Sequence, residues 1–308
     1  MADTHEITRG VRLEVASHTD RGKEREENQD TPLVAALPRA VVVGVCDGMC
    51  GAAGGQLASQ SAVAAIDRYV RAAAPSAREA LARALFDSLG DATRRIYAIA
   101  KADPRLDGMG TTATIAGVAD DLLIVAQIGD SRAYLFRNGA LTQLTRDQTL
   151  AQALLEKGQL APEELASFPH ANVILQAVGT SEHLDVDLKS VQVCRGDVLL
   201  VCSDGLHGPV AHAAIAATLA NESSLDAACA ALVLCALEAG GPDNVTCVLA
   251  RFDGDGLAPP TDAVAVTPYV LAPIEPDPVR HDAEVPVKTP LSHLWPLRWG
   301  PWASKKTP

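Results

Sequence analysis

The chain has 308 residues, of which 48% are hydrophobic and 21% are charged, so it can form one large core or two modest domains. Its formal net charge of -12 argues against a nucleic-acid partner, because a protein that neutralises phosphates carries an excess of Lys and Arg. No window approaches the ~20 apolar residues of a membrane-spanning helix, and the first residues lack the basic and apolar stretches of a secretory signal. We therefore expect a cytoplasmic, globular protein without a transmembrane segment.

The seven cysteines also favour a reducing compartment. They form no pair of C-x-x-C steps of the kind that binds zinc, and Cys46, Cys202 and Cys247 lie inside apolar runs. A free thiol in such a run behaves as a small hydrophobic side chain. The sequence therefore predicts that these cysteines pack in the core.

Short runs rich in Val, Ile and Leu predict strands, because branched side chains suit a pleated, half-buried surface. These runs alternate unevenly with helical segments, and the two central helices follow one another without a strand between them. That order disfavours a simple βαβ repeat. The predicted strands cover residues 41–46, 122–128, 131–137, 197–202 and 245–252.

Three long helices are predicted. The first covers residues 56–72, after a glycine-rich loop. The second begins at residues 76–79, a capping box whose serine and glutamate would satisfy free backbone donors, and it runs to about residue 101. The third begins near residues 223–224 and ends at the glycines 240–241, which can adopt the left-handed stop conformation.

Antiparallel pairing is indicated by apolar runs close enough to form hairpins. Residues 123–128 and 132–136 form one such pair, and residues 137–140 have the composition of a hairpin turn. The polar segment 145–179, with Pro162 as a helix start, is predicted to be an insertion between strands. We therefore expect this segment to be a lid.

Composition changes sharply after Phe252, since eleven of the 19 prolines and all three tryptophans fall in residues 253–308. Proline lacks the N–H and restricts the residue before it, so residues 253 to about 290 are predicted to be an extended linker. Residues 294–306 are aromatic and basic, which suits docking on a groove or an anionic membrane surface. The alternative is that this end folds back on the rest of the chain or is disordered.

Four aspartates each stand where an apolar run meets a turn, beside a small or amide residue. They are Asp47, Asp130, Asp204 and Asp243. A carboxylate at a strand end is costly to hold alone but stable when it faces a shared cation, so the repetition indicates one oxygen-lined metal centre. The absence of a matching His/Cys cluster favours magnesium or manganese over zinc. Each aspartate taken singly could equally be a turn residue, because Asp-Gly is a common turn dipeptide.

Arg25 and Asp30 add an arginine and a fifth carboxylate upstream. Two cations held ~3.5–4 Å apart by a bridging carboxylate turn water into hydroxide, and they offset phosphoryl charge during in-line attack. An arginine fork can grip the remaining phosphate oxygens. Ser131 and Thr111 are not expected to be nucleophiles, because no base is predictably beside either. The set therefore predicts a metal-dependent phosphoric-ester hydrolase.

These residues belong to six motifs that follow one another along the chain. They are Arg25-x-x-Asn28-Gln29-Asp30, Val45-Cys46-Asp47-Gly48-Met49, Gly108-Met109-Gly110-Thr111-Thr112, Gly129-Asp130-Ser131-Arg132-Ala133-Tyr134, Cys202-Ser203-Asp204-Gly205-Leu206 and Gly241-Pro242-Asp243-Asn244-Val245-Thr246. In this order and spacing they resemble the metal-dependent serine/threonine protein phosphatases of type 2C, most closely the bacterial branch. The match runs from about residue 11 to residue 252 and leaves the tail outside.

The resemblance implies an α+β fold, a four-layer α/β/β/α sandwich with two central antiparallel sheets and metals in the cleft at one end. It places a catalytic domain in residues 1–252 and a Pro-rich tail with a Trp-rich basic end in residues 253–308. Segment 145–179 corresponds to the family's flap, a helical insertion beside the cleft that is thought to influence substrate choice. We use the name flap for this segment below.

The resemblance also implies two core Mn²⁺ or Mg²⁺ ions. By matching position, Asp47 would bridge them and the Gly48 carbonyl would bind one of them, while Asp204 and Asp243 would hold the second.

Three further roles are implied in the same way. Asp30 would act through metal-bound water, and Asp130 with Asp204 would form a weaker third-metal site. Arg25 would grip the substrate phosphate.

Three departures from the family pattern stand close to these residues. Gln29 replaces a frequent glutamate, and Met49 stands where the eukaryotic branch has a histidine that can protonate the leaving oxygen. Methionine cannot donate a proton, so that role would fall to metal-bound water or to no group at all. Cys50 and the alanines 52–53 interrupt a loop that usually reads Gly-Gly and then a polar stretch.

The histidines offer no clear substitute for a general acid. His207 lies three residues after Asp204 and could contact substrate, while His170 lies in the flap and His183 just beyond it. A surface or packing role is favoured for all three.

The sequence thus predicts an enzyme that removes phosphate from phosphoserine and phosphothreonine through a metal-bridging hydroxide. Its expected partners are phosphorylated proteins and a Ser/Thr kinase whose action it opposes, and it is expected to be a monomer. One alternative is a weak pseudophosphatase or scaffold that binds phosphoproteins through the cleft or the Trp-rich tail; another is action on a single phosphoserine in an anti-sigma-factor antagonist. Deletion after residue 252 is expected to leave activity on a small ester nearly intact.

Overall fold

The computed structural model describes residues 2–8, 10–49 and 51–272 of the chain. The strands are β1 (Asp3–Thr8), β2 (Val11–Asp20), β3 (Asp30–Leu37), β4 (Ala40–Met49), β5 (Gly110–Thr111), β6 (Ala113–Ala119), β7 (Leu122–Ile128), β8 (Arg132–Arg137), β9 (Ala140–Gln143), β10 (Asp187–Gln192), β11 (Val198–Cys202), β12 (Val245–Asp253) and β13 (Thr267–Pro268). The α-helices are α1 (Gly51–Ala73), α2 (Arg78–Ala102), α3 (Leu150–Glu156), α4 (Asp204–His207), α5 (His212–Asn221) and α6 (Leu225–Glu238). Two 3₁₀ helices cover Pro104–Leu106 and Pro162–Ser167.

The strands form two antiparallel sheets. The first sheet has the order β1-β2-β12-β11-β8-β9, and the second has the order β13-β10-β7-β6-β4-β3, with β5 paired to β4. Every pairing within these sheets is antiparallel. This pattern suits strands that alternate between two faces, each of which must be covered by another layer.

Three buried hydrophobic clusters fill the spaces between four layers of helices and sheets. The inner cluster joins the facing sides of the two sheets, for example Val43 and Val125 of the second sheet with Leu199 and Val248 of the first. A second cluster packs α1 and α2 against the outer face of the second sheet, and a third packs α5 and α6 against the outer face of the first. The predicted four-layer α/β/β/α sandwich is therefore confirmed.

The five predicted strands are all present, as β4, β7, β8, β11 and β12. The turn at residues 137–140 is also confirmed, because β8 and β9 pair across it with Arg137 opposite Ala140. Asn138 and Gly139 have φ angles of 50° and 81°, the left-handed conformation that a two-residue hairpin turn requires.

The predicted hairpin between residues 123–128 and 132–136 is wrong. β7 pairs with β6 and β10, whereas β8 pairs with β9 and β11 in the other sheet. The connection between them crosses from one sheet to the other, and Leu123 and Leu135 pack into the same inner cluster from opposite sides. Burying both apolar faces against each other outweighs the local pairing that the short spacing suggests.

The helices differ from prediction mainly at their starts. α1 begins at Gly51 rather than residue 56, so the glycine-rich loop is helical. The predicted capping box at residues 76–79 is wrong, because α2 has Ala77 at its N-cap and no side-chain cap hydrogen bond. The start of α6 is confirmed, since the Ser224 hydroxyl accepts a hydrogen bond from the Ala227 N–H, and the helix ends before the glycines 240–241.

The C-terminal boundary of the compact unit lies later than the sequence suggests. The contacts unite Met1–Leu271 in one unit, so the predicted linker is part of the fold as far as residue 271. We call residues 253–271 the strap. Arg137, which is 5% exposed, donates to the Ala263 carbonyl oxygen at 2.9 Å and pairs with the buried Asp197 at 2.6 Å. The remainder of the predicted tail, including its Trp-rich end, lies outside the described residues.

Cys46, Cys194, Cys202, Cys229 and Cys247 are buried as free thiols, which confirms the predicted core packing of the three cysteines in apolar runs. Among the residues that the structure describes, none of the helices combines the length and the hydropathy that a bilayer span requires.

Candidate metal centre and phosphate site

The strand register brings the predicted aspartates to one end of the sandwich. Asp30 at the start of β3 is paired directly with Asp47 near the end of β4. In the other sheet, Cys202 at the end of β11 is paired with both Arg132 and Cys247. The turns that carry Asp130, Asp204 and Asp243 adjoin these three paired residues, so they meet at the same end.

These turns surround a cleft with a volume of about 680 Å³. Six of the seven predicted site residues line it, namely Arg25, Asp47, Gly48, Asp130, Asp204 and Asp243. The opposite wall comes from the flap, through residues 172–174. Asp30 does not line the cleft; it is 7% exposed and lies beside Asp47 on the neighbouring strand.

The carboxyl group of Asp30 is fixed by the buried hydroxyl of Ser203. The Ser203 Oγ donates to Asp30 Oδ2 at 2.7 Å, and the Thr246 N–H donates to Ser203 Oγ at 3.0 Å. Burial raises the pKa of Asp30 to about 7, although the hydrogen bonds from Ser203 and Thr246 act in the opposite direction. The arrangement fixes this carboxyl group without supplying a positive charge.

The other carboxylates repel one another. Asp47 and Asp204 both line the cleft, and their carboxyl groups are close enough to influence each other's pKa. Burial raises the pKa of Asp47 well above its usual range, and the charges of Asp30 and Asp204 raise it further. Burial also raises the pKa of Asp204, with Asp243 as the second cause. Two buried carboxylates close to each other cannot both stay ionised unless a proton or a cation lies between them.

Two buried oxygen atoms in this group have no hydrogen-bond partner among the described residues, Asp30 Oδ1 and Asp204 Oδ1. An unpaired buried carboxylate oxygen is unfavourable unless it binds a donor or an ion. A donor set made of carboxylate oxygens and one backbone carbonyl is the type that hard divalent cations prefer. The residues therefore fit magnesium or manganese.

The carboxylates surround the cleft without closing on a single point. In the parts of the chain that the structure describes, no three His, Cys, Asp or Glu side chains converge into a closed ion-binding shell.

Asp130 lies on the wall of the cleft and is 6% exposed. Burial raises its pKa to about 7, and the charge of Asp204 adds to that effect. Its backbone carbonyl oxygen lies 3.1 Å from Nε2 of His207. Burial lowers the pKa of His207 to about 4, so this imidazole is neutral at neutral pH and is not a cationic phosphate ligand.

Arg25 lies at the exposed rim of the cleft. Its Nη2 donates to Asp243 Oδ2 at 2.7 Å, and the side chains of the two residues are 53% and 31% exposed. This hydrogen bond is the main cause of the raised pKa of Arg25. The guanidinium of Arg25 therefore already contacts an anionic oxygen at the rim, and a phosphate oxygen could make the same kind of contact.

Asn244 has a structural role that the sequence did not reveal. Its Nδ2 donates to the carbonyl oxygens of Arg21 and Glu27, both at 2.8 Å, and its Oδ1 accepts from the Gln29 N–H at 2.8 Å. One buried amide thus holds the loop that carries Arg25. In the sequence, Asn244 is recognisable only as an amide that follows Asp243 and precedes a predicted strand. That pattern does not identify the loop that its side chain binds.

Close backbone approach explains one glycine beside the site. A Cβ atom at Gly205 would lie 1.9 Å from the Asn244 carbonyl oxygen, so any side chain there would displace Asp204 or the segment before β12.

Thr111 and Thr112 hold the backbone of Asp47. Thr111 Oγ1 donates to the Asp47 carbonyl oxygen at 2.8 Å, and the Asp47 N–H donates to Thr112 Oγ1 at 3.0 Å. Thr112 Oγ1 also lies 2.8 Å from Ser131 Oγ. These hydroxyls are engaged in positioning, which agrees with the expectation that Thr111 and Ser131 are not nucleophiles.

The remaining departures and histidines are placed as follows. Met49 and Gln29 line the cleft, and Met49 supplies no proton donor there. Cys50 lies outside the described residues, and so do the side chains of residues 51–53. His170 and His183 are exposed and do not line the cleft.

One relative and two solved structures illustrate what the chain is similar to. It is 37% identical over 238 residues to the serine/threonine protein phosphatase PstP of Mycobacterium tuberculosis, a match that covers 77% of this chain but 45% of that protein, so the chain spans less than half of that relative. A structure of the S. agalactiae serine/threonine phosphatase has 32% identity and a TM-score of 0.75, covering 78% of this chain and 99% of that one. The catalytic domain of PstP in complex with two manganese ions has 35% identity and a TM-score of 0.70, covering 79% and 99%.

The protein phosphatase 2C family model matches residues 16–250, which include every predicted site residue. The match leaves out β1, the first half of β2 and the segment from the end of β12 onward. On this match and these relatives, the chain belongs to the protein phosphatase 2C family.

Proposed function

We propose that the protein is a divalent-cation-dependent protein serine/threonine phosphatase that hydrolyses phosphoserine and phosphothreonine in other proteins. The observation that carries the proposal is the convergence of the Asp47, Asp130, Asp204 and Asp243 carboxyl groups on one cleft with Arg25 at its rim. Relatives named serine/threonine phosphatases support the activity, and the manganese in the PstP catalytic domain supports Mn²⁺ or Mg²⁺ as the cofactor.

Four residues would hold the two core metal ions. Asp47 would bridge two ions, the Gly48 carbonyl would bind one of them, and Asp204 with Asp243 would bind the other. When bound, such ions supply positive charge to phosphoryl oxygens and lower the pKa of water. They would also neutralise the repulsion between Asp47 and Asp204.

Two further carboxylates would act around this core. Asp30, fixed by Ser203, would hold a water molecule through its unpaired Oδ1. Asp130 together with Asp204 would form a weaker third site.

Arg25 would bind the phosphate group of the substrate. It would transfer its guanidinium from Asp243 to two phosphate oxygens, because the planar fork of arginine matches that geometry. Asp243, which pairs with Arg25 in this structure, would hold a cation in the metal-loaded enzyme. Since Met49 has no proton to donate, the leaving serine or threonine oxygen would take its proton from water.

The partners follow from this activity. The substrates would be phosphorylated proteins, and a Ser/Thr kinase would supply them. We propose that the protein acts as a monomer in the cytoplasm. The catalytic unit would extend to residue 271, since the strap packs with it.

The test is hydrolysis of p-nitrophenyl phosphate and of a phosphothreonine peptide with Mn²⁺, before and after chelation. Wild type should be active with Mn²⁺ and inactive after chelation. Asp47→Asn should reduce kcat by at least ~10³-fold, because the bound metal supplies several kcal/mol of barrier reduction. Asp67→Asn is the matched control, since Asp67 pairs with Arg71 on α1 and does not line the cleft.

Activity that survives chelation, or that persists in Asp47→Asn, would contradict the proposal. Phosphopeptide binding by wild type without turnover would favour the non-catalytic, scaffold alternative.

A further inference from the structure

Three glutamine side chains connect the flap to the turn that carries Asp130. They are Gln127 at the end of β7, Gln148 at the start of the flap and Gln176 near its end. Gln127 is 1% exposed, and the other two are half-buried. A buried primary amide both donates and accepts, so such side chains can join backbone segments that do not pair with each other.

On one side, Gln148 binds Gly129, the residue before Asp130. The Gly129 N–H donates to Gln148 Oε1 at 2.8 Å, and the Gln148 N–H donates to the Gly129 carbonyl oxygen at 3.0 Å. Gln127 Nε2 donates to the same carbonyl at 3.2 Å, and Gln127 Oε1 accepts from the Arg146 N–H at 3.1 Å. The position of the Asp130 turn is therefore tied to the start of the flap.

On the other side, Gln148 binds the end of the flap. The Leu175 N–H donates to the Gln148 carbonyl oxygen at 2.8 Å, and Gln176 Nε2 donates to Gln148 Oε1 at 2.9 Å. Leu175 and Gln176 directly follow residues 172–174, which form the flap wall of the cleft. The same amide oxygen of Gln148 thus accepts one hydrogen bond from the Asp130 turn and one from the flap.

Gln176 extends the connection away from the cleft. Its Nε2 donates to the Asp185 carbonyl oxygen at 2.7 Å, and its Oε1 accepts from the Asp185 N–H at 3.1 Å. Gln176 is therefore anchored to the segment before β10 whether or not it binds Gln148. Loss of the Gln148 acceptor would remove the side-chain link between the flap wall and the Asp130 turn, while the backbone hydrogen bonds of Gln148 to Gly129 and Leu175 and the anchor at Asp185 stay in place.

We propose that Gln148 is a positioning residue, which sets the distance between the Asp130 carboxylate and the flap wall and so couples cation binding to the engagement of a protein substrate. The inference rests on the proposed phosphatase activity. Gln148 does not line the cleft itself, so it acts through Gly129 and through residues 172–174.

Three variants separate this role from a merely structural one. Gln148→Met keeps the length of the side chain but removes the shared acceptor, and Gln148→Glu retains that acceptor. Gln152→Met is the matched control, because Gln152 lies on α3 in the flap and its side chain binds Glu156 at 2.9 Å, outside the connection. Each variant is assayed with p-nitrophenyl phosphate and with a phosphothreonine peptide. Mn²⁺ binding is followed by calorimetry and by thermal unfolding.

In Gln148→Met, kcat/KM for the peptide should fall roughly tenfold, the ratio that corresponds to the loss of about 1.4 kcal/mol of positioning. The apparent Kd for Mn²⁺ should rise about fivefold, while kcat for p-nitrophenyl phosphate at saturating Mn²⁺ changes less than about threefold. Gln148→Glu should recover the peptide value to within about threefold of wild type. Gln152→Met should match wild type in all assays.

A wild-type result in Gln148→Met overturns the inference, and so does an equal loss in Gln148→Glu and Gln148→Met. An equal loss on the peptide and on the small ester, with unchanged Mn²⁺ binding, also overturns it. A wild-type protein that is inactive on both substrates with Mn²⁺ instead contradicts the proposed function, so the two failures are distinguishable.

Discussion

The floor of the cleft, taken together with the residues packed beneath it, and the rim are built in different ways. Floor residues such as Asp30, Ser203 and Asn244 are buried and linked by short hydrogen bonds to two sheets and to the Arg25 loop. Rim residues such as Arg25 and Val173 are exposed, and the arginine has one ion pair whose members can separate at little cost. The floor therefore fixes charge in space, whereas the rim can adapt to a macromolecular substrate.

The difference also separates stability from function. Holding several carboxylates together in a partly buried site is unfavourable in the metal-free chain, because burial and mutual repulsion both disfavour their ionised forms. Rim residues carry no comparable cost. Removing a charged side chain from the floor should therefore lower activity but raise the stability of the metal-free protein. Substitution of a rim residue should not raise that stability.

The largest effect is expected for Asp204→Asn. It should lower kcat with Mn²⁺ by at least ~10³-fold, yet raise the free energy of unfolding of the metal-free protein by ~1 kcal/mol, because it removes a repelled charge. Thermal unfolding in chelator and in Mn²⁺, together with an ester assay, measures both quantities. A metal-free variant that unfolds below wild type would show that repulsion does not dominate the floor.

Buried polar contacts away from the cleft should also contribute to stability, and the strap provides a test. Truncation after Asp253 removes the Ala263 carbonyl that Arg137 binds and uncovers its buried pair with Asp197. We expect a loss of ~3 kcal/mol or more in the free energy of unfolding, as for other disrupted buried ion pairs. Truncation after Ala272, which keeps the strap, is the matched control for loss of the rest of the chain. Equal stability of the two truncated chains would place the strap outside the fold.

Asn244→Ala tests the floor without altering a charge. The change removes three hydrogen bonds and leaves the Gln29 N–H and two carbonyl oxygens to find new partners, so a loss of ~2–3 kcal/mol in the free energy of unfolding is expected. Asn172→Ala at the exposed rim should change stability by less than ~0.5 kcal/mol. Denaturant unfolding measures both, and similar losses in the two variants would remove the distinction between floor and rim.

The smallest effect on stability is expected for Arg25→Lys. Its ion pair with Asp243 is solvent-exposed, so the unfolding midpoint should stay within ~1 °C of wild type. The KM for a phosphopeptide should rise roughly tenfold, because lysine cannot grip two phosphate oxygens at once. Steady-state kinetics at saturating Mn²⁺ gives this value. An unchanged KM would mean that the arginine serves Asp243 and not the substrate.

Much of this architecture could be predicted from local patterns. Runs rich in Val, Ile and Leu identified β4, β7, β8, β11 and β12, because a strand buried between layers needs continuous apolar residues. The aspartates at strand ends were recognisable for the same reason, since each interrupts such a run. Their repetition indicated one shared metal centre, and the family resemblance then assigned a role to each; no single motif did either.

What the sequence could not supply depends on contacts between distant segments. The assignment of β7 and β8 to different sheets is decided by packing across the core, and short spacing alone favours the wrong pairing. The side chains of Asn244 and Gln148 bind backbone N–H and C=O groups. These groups are chemically the same in every loop, so the sequence does not show which loop each side chain binds. The inclusion of the strap in the fold depends on Arg137, whose burial no local pattern reveals.

The pairing of β13 with β10 has a consequence for solubility. Thr267 and Pro268 of β13 lie opposite Ser190 and Lys189 at the outer edge of the second sheet. An uncovered edge strand offers unpaired N–H and C=O groups to another chain, whereas proline on that edge cannot donate to a further strand. The short segment therefore shields the sheet against self-association, and a chain that lacks it would present β10 to its own copies.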